Sequence, residues 1–304
     1  MQAILAPKNR FPKTIEEFRK EFHSETTSLH FLFNKRWPNG FVCPYCNWRK
    51  KEQEPTKTIT CGHCGHPTSI TTNTIMHGTK KALIEWLSCI WWLASTDGGH
   101  SAKDLQRLLN LSSYQTAWTW LQKLRMAMAV ADNKPCRGTV ELWSDSILLG
   151  GHMGHKEKIL AAAEIILPSG ITGRIKMEAI SDLSSNSVTH FLVKHVAAGS
   201  SLVVPDSLAY HVRDQDAYLT VTDAKSATAV RIQQIIKSFE IWLNKIHRGG
   251  VVAKHLQLYL DEFCFRSNVA MLSDNEAIFH LLLSAVLSQK SRSYRNITAN
   301  TTTE

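Results

Sequence analysis

The sequence predicts a multidomain α+β protein in which a short cysteine-rich module and a helical region precede a larger α/β domain. Three observations lead to this prediction. Two closely spaced cysteine pairs lie between residues 43 and 64, apolar residues recur at helical spacing from Lys80 to about Asp132, and strand-like segments separated by glycine and proline begin at Thr139. With 304 residues, 43% of them hydrophobic, the chain can bury more than one core, which excludes a disordered or collagen-like protein.

Charge is distributed unevenly along the chain. Residues 1–140 contain 19 Lys and Arg against 10 Asp and Glu, whereas residues 141–304 contain 16 of each, so the net charge of +9 lies in the first part. A basic module favours a polyanion such as DNA, because phosphate neutralisation releases counterions; a solvated basic face is the alternative. No uncharged apolar run approaches the ~18 residues of a membrane span, and no signal peptide is recognisable, so we expect a cytoplasmic protein.

Residues 1–38 are predicted to form an N-terminal helical segment. Thr14 is positioned to cap a helix, and Glu17, three residues further on, completes the pattern of a capping box. Pro38-Asn39-Gly40 then breaks the chain, because proline and glycine cannot continue a helix favourably.

Residues 39–78 contain two C-x2-C pairs separated by 14 residues. Each pair can direct two thiolates toward one point, and two pairs supply the four sulfurs that tetrahedral structural zinc prefers. Redox-active dithiols are the alternative, which two pairs at this spacing disfavour. The sequence therefore predicts a zinc ribbon, a closed site that serves folding, with the ligands Cys43, Cys46, Cys61 and Cys64.

Residues 79–134 are predicted to be helical and to include a helix-turn-helix motif with its break at Asn110-Leu111-Ser112. In that motif the start of the second helix meets base edges, and flanking cations meet phosphates. An ordinary helical hairpin is the alternative. The candidate base contacts are Ser113, Tyr114, Gln115, Thr116 and Thr119, and the candidate phosphate contacts are Lys103, Arg107, Lys123 and Arg125.

Residues 135–270 are predicted to form the α/β domain, and residues 271–304 a C-terminal helix, more suited to core packing than to dimerisation, with a polar tail. Asp145 and Asp206 each end an apolar strand. Acids at the ends of adjacent strands can together bind the divalent ions that phosphoryl transfer needs. The alternative for each aspartate is an ordinary turn residue. The predicted elements are strands over 139–143, 159–167 and 172–180, a helix over 184–197, strands over 201–204 and 218–222 with a short helix between them, and a helix over 226–246.

Five separated blocks of sequence resemble one known family. They are Cys43-Pro-Tyr-Cys46, Ser69 to Gly78, Thr116-Ala-Trp118 with Leu124-Arg125, Gly150-Gly151 and Lys254 to Asn268. The family is that of the bacterial insertion-sequence transposases of the DDE class that carry an N-terminal zinc ribbon, and the resemblance covers about residues 10–270.

The resemblance implies a ribonuclease H-like catalytic domain, which agrees with the order of strands and helices predicted above. It implies that Asp145, five residues before the Gly-Gly pair, and Asp206, four residues before Tyr210, are the first two catalytic acids and bind Mg²⁺ or Mn²⁺. It also implies double-stranded DNA as the substrate, a homo-oligomer on two DNA ends, and a bacterial, nucleoid-associated location.

At the family's third acid the chain departs from the pattern, because that position is Lys237. Glu240 follows about 4.5 Å further along the predicted helix and is rotated by roughly 60°, which is too far for an unchanged metal site. The third metal ligand is therefore either lost or supplied by Glu240 as a candidate catalytic acid. We expect the lysine to pair with the two aspartates and to compete with the metal. The sequence thus predicts a transposase with a degenerate catalytic site; the alternative is a catalytically inactive, zinc-dependent DNA-binding protein derived from one.

Overall fold

The structure, a computed structural model, describes residues 11–96, 98–149, 154–212, 216–222, 227–247, 251–272 and 274–299. The chain divides into two compact units. Unit 1 comprises Met1–Thr96, Lys103–Ala127 and Leu272–Ile297, and unit 2 comprises Asp97–Ala102, Met128–Met271 and Thr298–Glu304. The segment from Leu272 therefore folds with the N-terminal part of the chain, which the predicted domain order does not anticipate.

The secondary structure of the described residues alternates between helical and β-rich regions. The helices are α1 (Ile15–Glu21), α2 (Glu25–Arg36), α3 (Leu83–Ser95), α4 (Ala102–Leu108), α5 (Tyr114–Ala131), α6 (Ser185–His195), α7 (Asp206–Val212), α8 (Ala227–His247), α9 (Leu256–Ala270), α10 (Asn275–Ser288) and α11 (Tyr294–Thr298). The strands are β1 (Phe41–Val42), β2 (Arg49–Lys50), β3 (Thr58–Thr60), β4 (Pro67–Ser69), β5 (Thr139–Leu149), β6 (His155–Ile166), β7 (Ile171–Ile180), β8 (Ser201–Val204) and β9 (Leu219–Thr222). None of these helices is long and apolar enough to cross a membrane.

Helix α1 begins at the predicted cap. The Thr14 hydroxyl accepts a hydrogen bond from the backbone N–H of Glu17 at 3.2 Å, which satisfies one of the free donors at the helix start. The Glu17 carboxylate, however, accepts from the backbone N–H of Lys13 at 2.7 Å. The reciprocal bond of the predicted capping box thus closes one residue earlier than expected.

The core of unit 1 forms around α3, whose Trp86, Leu87 and Ile90 are buried. Aromatic rings bring other helices to it: the Phe18 ring on α1 lies 5.5 Å from that of Trp91 and 6.1 Å from that of Phe279 on α10. Such tilted and edge-on pairs are favourable arrangements of aromatic quadrupoles. Helix α10 is therefore part of this core, which agrees with the core-packing interpretation of its sequence.

Unit 2 contains a five-stranded mixed sheet in the order β7-β6-β5-β8-β9. Strands β5, β6 and β7 form an antiparallel meander, whereas β8 is parallel to β5, and β9 to β8. Because β8 and β9 run in the direction of β5, the carboxyl ends of these three strands point the same way.

Helices cover both faces of this sheet. On one face, Ile147 and Ile159 pack with residues of α8 and α9 such as Phe239 and Leu260. On the other face, Leu142 and neighbouring residues pack with α6 and α7. The alternation of side chains along β5 decides which residues face which layer, since successive residues of a strand point to opposite faces.

Candidate functional site

Two hairpins, β1–β2 and β3–β4, carry the cysteine pairs in unit 1. In each, the residue four positions after the first cysteine donates its backbone N–H to that cysteine's carbonyl: Asn47 to Cys43 at 2.9 Å and Gly65 to Cys61 at 3.0 Å. Both residues have left-handed backbone conformations, with φ of 59° and 71°. Asparagine and glycine tolerate this conformation best, so the sequence favours a tight turn that brings the two thiols of each pair together.

The four thiols converge on one point. The Sγ atoms of Cys43 and Cys64 lie 3.7 Å apart, those of Cys46 and Cys61 also 3.7 Å apart, and all four lie within 4.8 Å of one another. Tetrahedral zinc with bonds of about 2.3 Å requires sulfurs about 3.8 Å apart. The four side chains therefore fit a structural zinc ion, as predicted from their spacing.

Backbone groups prepare at least one of these sulfurs for a metal. The Sγ of Cys61 accepts hydrogen bonds from the backbone N–H of His63 at 3.4 Å and of Cys64 at 3.5 Å. Burial opposes ionisation of the Cys61 thiol, but the two N–H groups and the neighbouring thiols lower its pKa to about 6. A thiolate, not a thiol, is the zinc ligand, so these N–H groups favour the metal-binding form of Cys61. At Cys46 and Cys64 a backbone hydrogen bond opposes the shift, but burial and the neighbouring thiols raise the pKa.

In unit 2, Asp145 lies in β5 and Asp206 is the first residue of α7, two residues after the end of the neighbouring parallel strand β8. The parallel pairing of β5 with β8 ends at Glu141 and Val203. Asp145 follows Glu141 by four residues, and Asp206 follows Val203 by three. Both carboxylates are exposed. Asp145 was predicted to end its strand. It lies within β5 instead, because antiparallel pairing with β6 continues to Leu149.

Asp145 lies on the face of the sheet that α8 covers. Its strand neighbours Trp143 and Ile147, two residues to either side, pack in the core beneath α8 and α9, and residues two apart on a strand share a face. The Oδ1 of Asp145 accepts from the backbone N–H of Ser146 at 2.7 Å. The position of the family's third acid, on α8, thus belongs to the layer that Asp145 faces.

On α8, Lys237 and Glu240 bind each other. The Lys237 Nζ donates to Glu240 Oε2 at 2.8 Å, and this contact raises the pKa of the exposed lysine. The structure therefore pairs the lysine with an acid of its own helix, not with Asp145 and Asp206 as expected. Among the described residues, the four cysteines are the only group of three or more potential ligand side chains within reach of a shared ion.

Two protein families match this chain. Residues 132–268 match the ISXO2-like transposase domain, and residues 23–67 match the transposase zinc-ribbon domain. The chain belongs to the DDE-type insertion-sequence transposases with an N-terminal zinc ribbon. A search of curated proteins finds no match. The Gly150-Gly151 pair, which contributes to the resemblance, lies outside the described residues.

Between the two matched regions of this transposase, α4 and α5 are joined by a short turn. The backbone N–H of Leu111 donates to the Gln106 carbonyl at 2.9 Å, and the Gln106 side-chain amide donates to the Leu111 carbonyl at 3.1 Å. Asn110 adopts a left-handed conformation with φ of 48°. The two helices and their turn agree with the predicted positions of the helix-turn-helix segment.

The predicted DNA-contact residues of the transposase differ in exposure. Lys103, Arg107, Tyr114 and Gln115 are exposed, whereas Ser113, Thr116, Thr119 and Lys123 are partly buried. Burial lowers the pKa of Lys123. The hydroxyl of Thr119 donates to the Gln115 carbonyl at 2.7 Å, which engages its hydrogen within the helix.

Arg125 differs from its predicted role. The side chain is 2% exposed and ranks among the largest fully buried side chains of the structure. A guanidinium at this depth cannot meet a phosphate from solvent, so the prediction of a phosphate contact at Arg125 is wrong. Its spacing on α5 suggested a flanking cation, but tertiary packing directs it inward.

The family-specific segment from Lys254 to Asn268 has a role that its sequence alone did not indicate. It forms α9, which lies along β7, the edge strand of the sheet. The Gln257 side chain accepts from the Ala179 N–H at 2.9 Å and donates to the Met177 carbonyl at 3.2 Å. The Asn268 side chain accepts from the Ile175 N–H at 2.8 Å and donates to the Ile175 carbonyl at 2.9 Å. Side-chain amides thus satisfy backbone groups that no strand pairs.

A charged cluster lies next to this edge within unit 2. Burial disfavours the charge of Glu178, but hydrogen bonds from His195 and Lys194 lower the pKa of this carboxyl to about 2. A cavity of about 300 Å³, lined by Lys194, His195 and Asp261 among others, adjoins the cluster. Burial raises the pKa of Asp261 to about 6. The sequence offered no motif from which this cluster could be predicted.

Proposed function

We propose that this transposase binds double-stranded DNA through its zinc ribbon and helix-turn-helix region, and that the catalytic site in its ribonuclease H-like domain is degenerate. The observation that carries the proposal is the 2.8 Å contact between Lys237 and Glu240. Glu240, the acid that follows the third catalytic position by three residues, is thereby paired with a cation of its own helix. Cleavage and strand transfer at element ends are then weak or absent, while DNA binding remains.

The assignment of a ribonuclease H-like domain is supported by the order of elements. Three antiparallel strands are followed by α6, β8, α7, β9 and α8, which is the order that the family resemblance implies. The positions of Asp145 in β5 and of Asp206 just after β8 also support the proposal, because a shared metal site needs acids from neighbouring strands.

DNA binding is supported by charge and exposure. The net charge of the chain is carried by residues 1–140, which include the ribbon and the helix-turn-helix region. Arg49, Lys50 and Lys51 of the ribbon are exposed, as are Lys103 and Tyr114. Exposed cations supply the sequence-independent part of affinity for DNA, and residues at the start of a recognition helix supply base contacts.

The metal site that the family implies is only partly present. Asp145 and Asp206 would hold Mg²⁺ or Mn²⁺, ions that activate the attacking oxygen and stabilise the leaving oxygen in phosphoryl transfer. Among the residues that the structure describes, no third carboxylate joins them, because Lys237 occupies the position that the resemblance assigns to it and Glu240 is engaged with that lysine. The residues present do not fit a complete catalytic site, so we derive no cleavage step from them.

A cleavage and strand-transfer assay tests the proposal. The substrate is the DNA that flanks the gene, with Mg²⁺ or Mn²⁺, and the proteins are the wild type, Lys237→Glu and the double variant Asp145→Asn with Lys237→Glu. We expect DNA binding by all three, little or no turnover by the wild type, a gain of at least about tenfold in Lys237→Glu, and loss of this gain in the double variant. Efficient turnover by the wild type would contradict the degenerate site.

Two outcomes of this assay have further meanings. If the wild type turns over and Glu240→Gln abolishes the reaction, Glu240 supplies the third ligand. If Lys237→Glu binds DNA but gains no activity, the alternative function is favoured: a DNA-binding protein derived from a transposase, with unit 2 as a scaffold.

Because transposition joins two DNA ends, we also propose a homo-oligomer on DNA. Light scattering of the protein with and without DNA measures its oligomeric state.

A further inference from the structure

The basic C-terminal segment, defined as residues 289–299, carries three cations and no acid. The cations are Lys290, Arg292 and Arg295, and no Asp or Glu occurs from residue 277 to residue 303. All three side chains are exposed. Among the residues that the structure describes, neither Lys290 nor Arg292 forms an ion pair.

Two contacts within unit 1 hold this segment against α5. The side-chain amide of Gln289 donates to the Met126 carbonyl at 3.3 Å, and the Tyr294 ring packs edge-on against the Trp118 ring with centroids 5.9 Å apart. Trp118 and Met126 are eight residues apart, or about 12 Å along a helix. The segment therefore runs beside α5 over two turns, toward the N-terminal end of that helix.

The end of α5 that the segment approaches is the one that carries the candidate base contacts. Tyr114 precedes Trp118 by four residues and so lies on the same side of the helix. Both Tyr114 and Tyr294 are exposed, at 50% and 42%. Tyr294, which lies between Arg292 and Arg295 in sequence, thus packs on the side of α5 that also carries Tyr114.

We propose that the basic C-terminal segment is a second DNA-binding element, whose cations contact backbone phosphates beside the groove that α5 enters. The inference rests on the proposed DNA binding by the helix-turn-helix region. A helix in the major groove, about 12 Å wide, is bordered by the phosphates of both strands, so cations held beside the helix reach the backbone. A segment with three cations and no acid of its own complements a polyanion better than it complements a protein surface of mixed charge.

Two features distinguish this segment from a flexible basic tail. Ile297, which follows the cations, is 8% exposed, and Ser293 accepts from the backbone N–H of Asn296 at 3.1 Å at the start of α11. The Tyr294–Trp118 contact then positions Arg292 and Arg295 relative to α5. Positioned cations lose less conformational freedom on binding, which raises their contribution to affinity.

The test measures DNA affinity against salt concentration by fluorescence anisotropy with the full chain. We expect the triple variant of Lys290, Arg292 and Arg295 to alanine to bind about tenfold or more weakly and to lower the magnitude of the salt slope by about 0.9 per lost phosphate contact. The matched control removes three exposed cations of the N-terminal helices, Lys13, Lys20 and Lys35. We expect a smaller loss in this control.

A second pair of variants tests the positioning. Tyr294→Ala keeps every cation but removes the contact with Trp118, so we expect weaker binding, whereas Tyr294→Phe keeps the ring and the affinity. Melting temperatures of all variants within a few degrees of the wild type show that folding is retained. A triple variant with unchanged slope and affinity overturns the inference, whereas a wild-type protein that does not bind DNA overturns the proposed function itself.

Discussion

The Asn268 side chain donates a hydrogen bond to Asp132 at 2.8 Å, across 136 residues of sequence. These two residues are also the first and the last of the region that matches the transposase domain. The contact joins the residue that follows α5 to α9. The two ends of the domain sequence are therefore held together by buried polar groups, since Asp132 is 6% exposed and Asn268 7%.

We predict that Asn268→Ala lowers the free energy of unfolding of unit 2 by about 2–4 kcal/mol. The variant leaves the N–H and carbonyl of Ile175 without a buried partner and removes one of the hydrogen bonds to Asp132 Oδ2, which keeps the one from Lys176. An unmade hydrogen bond in the interior costs the full desolvation of each group. Urea unfolding followed by circular dichroism measures the change, and Asn34→Ala, at an exposed site of α2, is the control. A loss no larger than that of the control would contradict this assignment.

We predict that Gln257→Leu increases aggregation more than it lowers stability. Gln257 occupies the N–H of Ala179 and the carbonyl of Met177 on the edge strand β7. Leucine keeps apolar volume but frees these backbone groups, and an exposed strand edge is a template for pairing with another chain. Light scattering during heating measures aggregation, with Gln289→Leu as a glutamine control distant from β7 in sequence. Equal scattering by the two variants would count against protection of the edge.

We predict that the contribution of Glu178 to stability is lost in acid. Its ordinary pKa of 4.5 falls to about 2 in the folded chain, because His195 and Lys194 donate to it at 2.6 and 2.8 Å. A lowered carboxyl pKa stabilises the folded state above pH 4.5, by up to about 3 kcal/mol, and this stabilisation disappears as the pH falls toward 2. Burial also lowers the pKa of His195, because it disfavours the charged form of the imidazole.

The measurement compares the wild type with Glu178→Gln from pH 7 to pH 2.5. We expect the variant to melt at a lower temperature at pH 7 and the two melting temperatures to converge below pH 4.5. The His190 side chain, also on α6, lies 3.8 Å from the Glu178 carboxylate. Because His190 is exposed, it contributes little to the stability that Glu178 provides. A difference in melting temperature that is constant with pH would show that the carboxylate charge has no part in stability.

Local patterns predicted most elements of unit 2. The strands β7, β8 and β9 begin and end within a residue of their predicted bounds, because apolar runs between glycine and proline are local signals. The first two strands are longer than predicted. Some of their extra residues, such as Ser146 and Lys156, are polar, and these interrupt the apolar pattern before the buried Ile147 and Leu149 continue it.

Side-chain partners were predicted less well than elements. The four cysteines were predictable because each pair acts through its own turn. Lys237 was expected to face two aspartates, but an acid one turn away on the same helix is closer. The inward direction of Arg125 and the docking of Tyr294 on Trp118 depend on contacts between distant parts of the chain, which no local pattern contains.

We predict opposite effects for two basic residues of α4 and α5, the helices of the predicted helix-turn-helix region. Arg125→Ala removes a large buried side chain and should lower the free energy of unfolding by about 2–4 kcal/mol. Lys103→Ala removes an exposed cation, so stability should change by no more than about 0.5 kcal/mol while the salt slope of DNA binding falls by about 0.9. Thermal unfolding and anisotropy titrations on both variants separate the effects. Normal stability of Arg125→Ala together with weaker DNA binding would restore the phosphate role.

We predict one zinc ion per chain and a ribbon that unfolds without it. The two hairpins consist of strands of only two or three residues, which cannot bury a core of their own, so the four thiolates supply much of their stability. Cys43→Ser should abolish stoichiometric zinc in native mass spectrometry and weaken DNA binding by at least about tenfold, because the exposed cations Arg49, Lys50 and Lys51 lose their common support. Cys89→Ala, at a buried cysteine of α3, should keep both the zinc and the affinity. A Cys43→Ser protein that lacks zinc but binds DNA as the wild type does would show that the ribbon takes no part in recognition and would leave that role to α5 and the segment beside it.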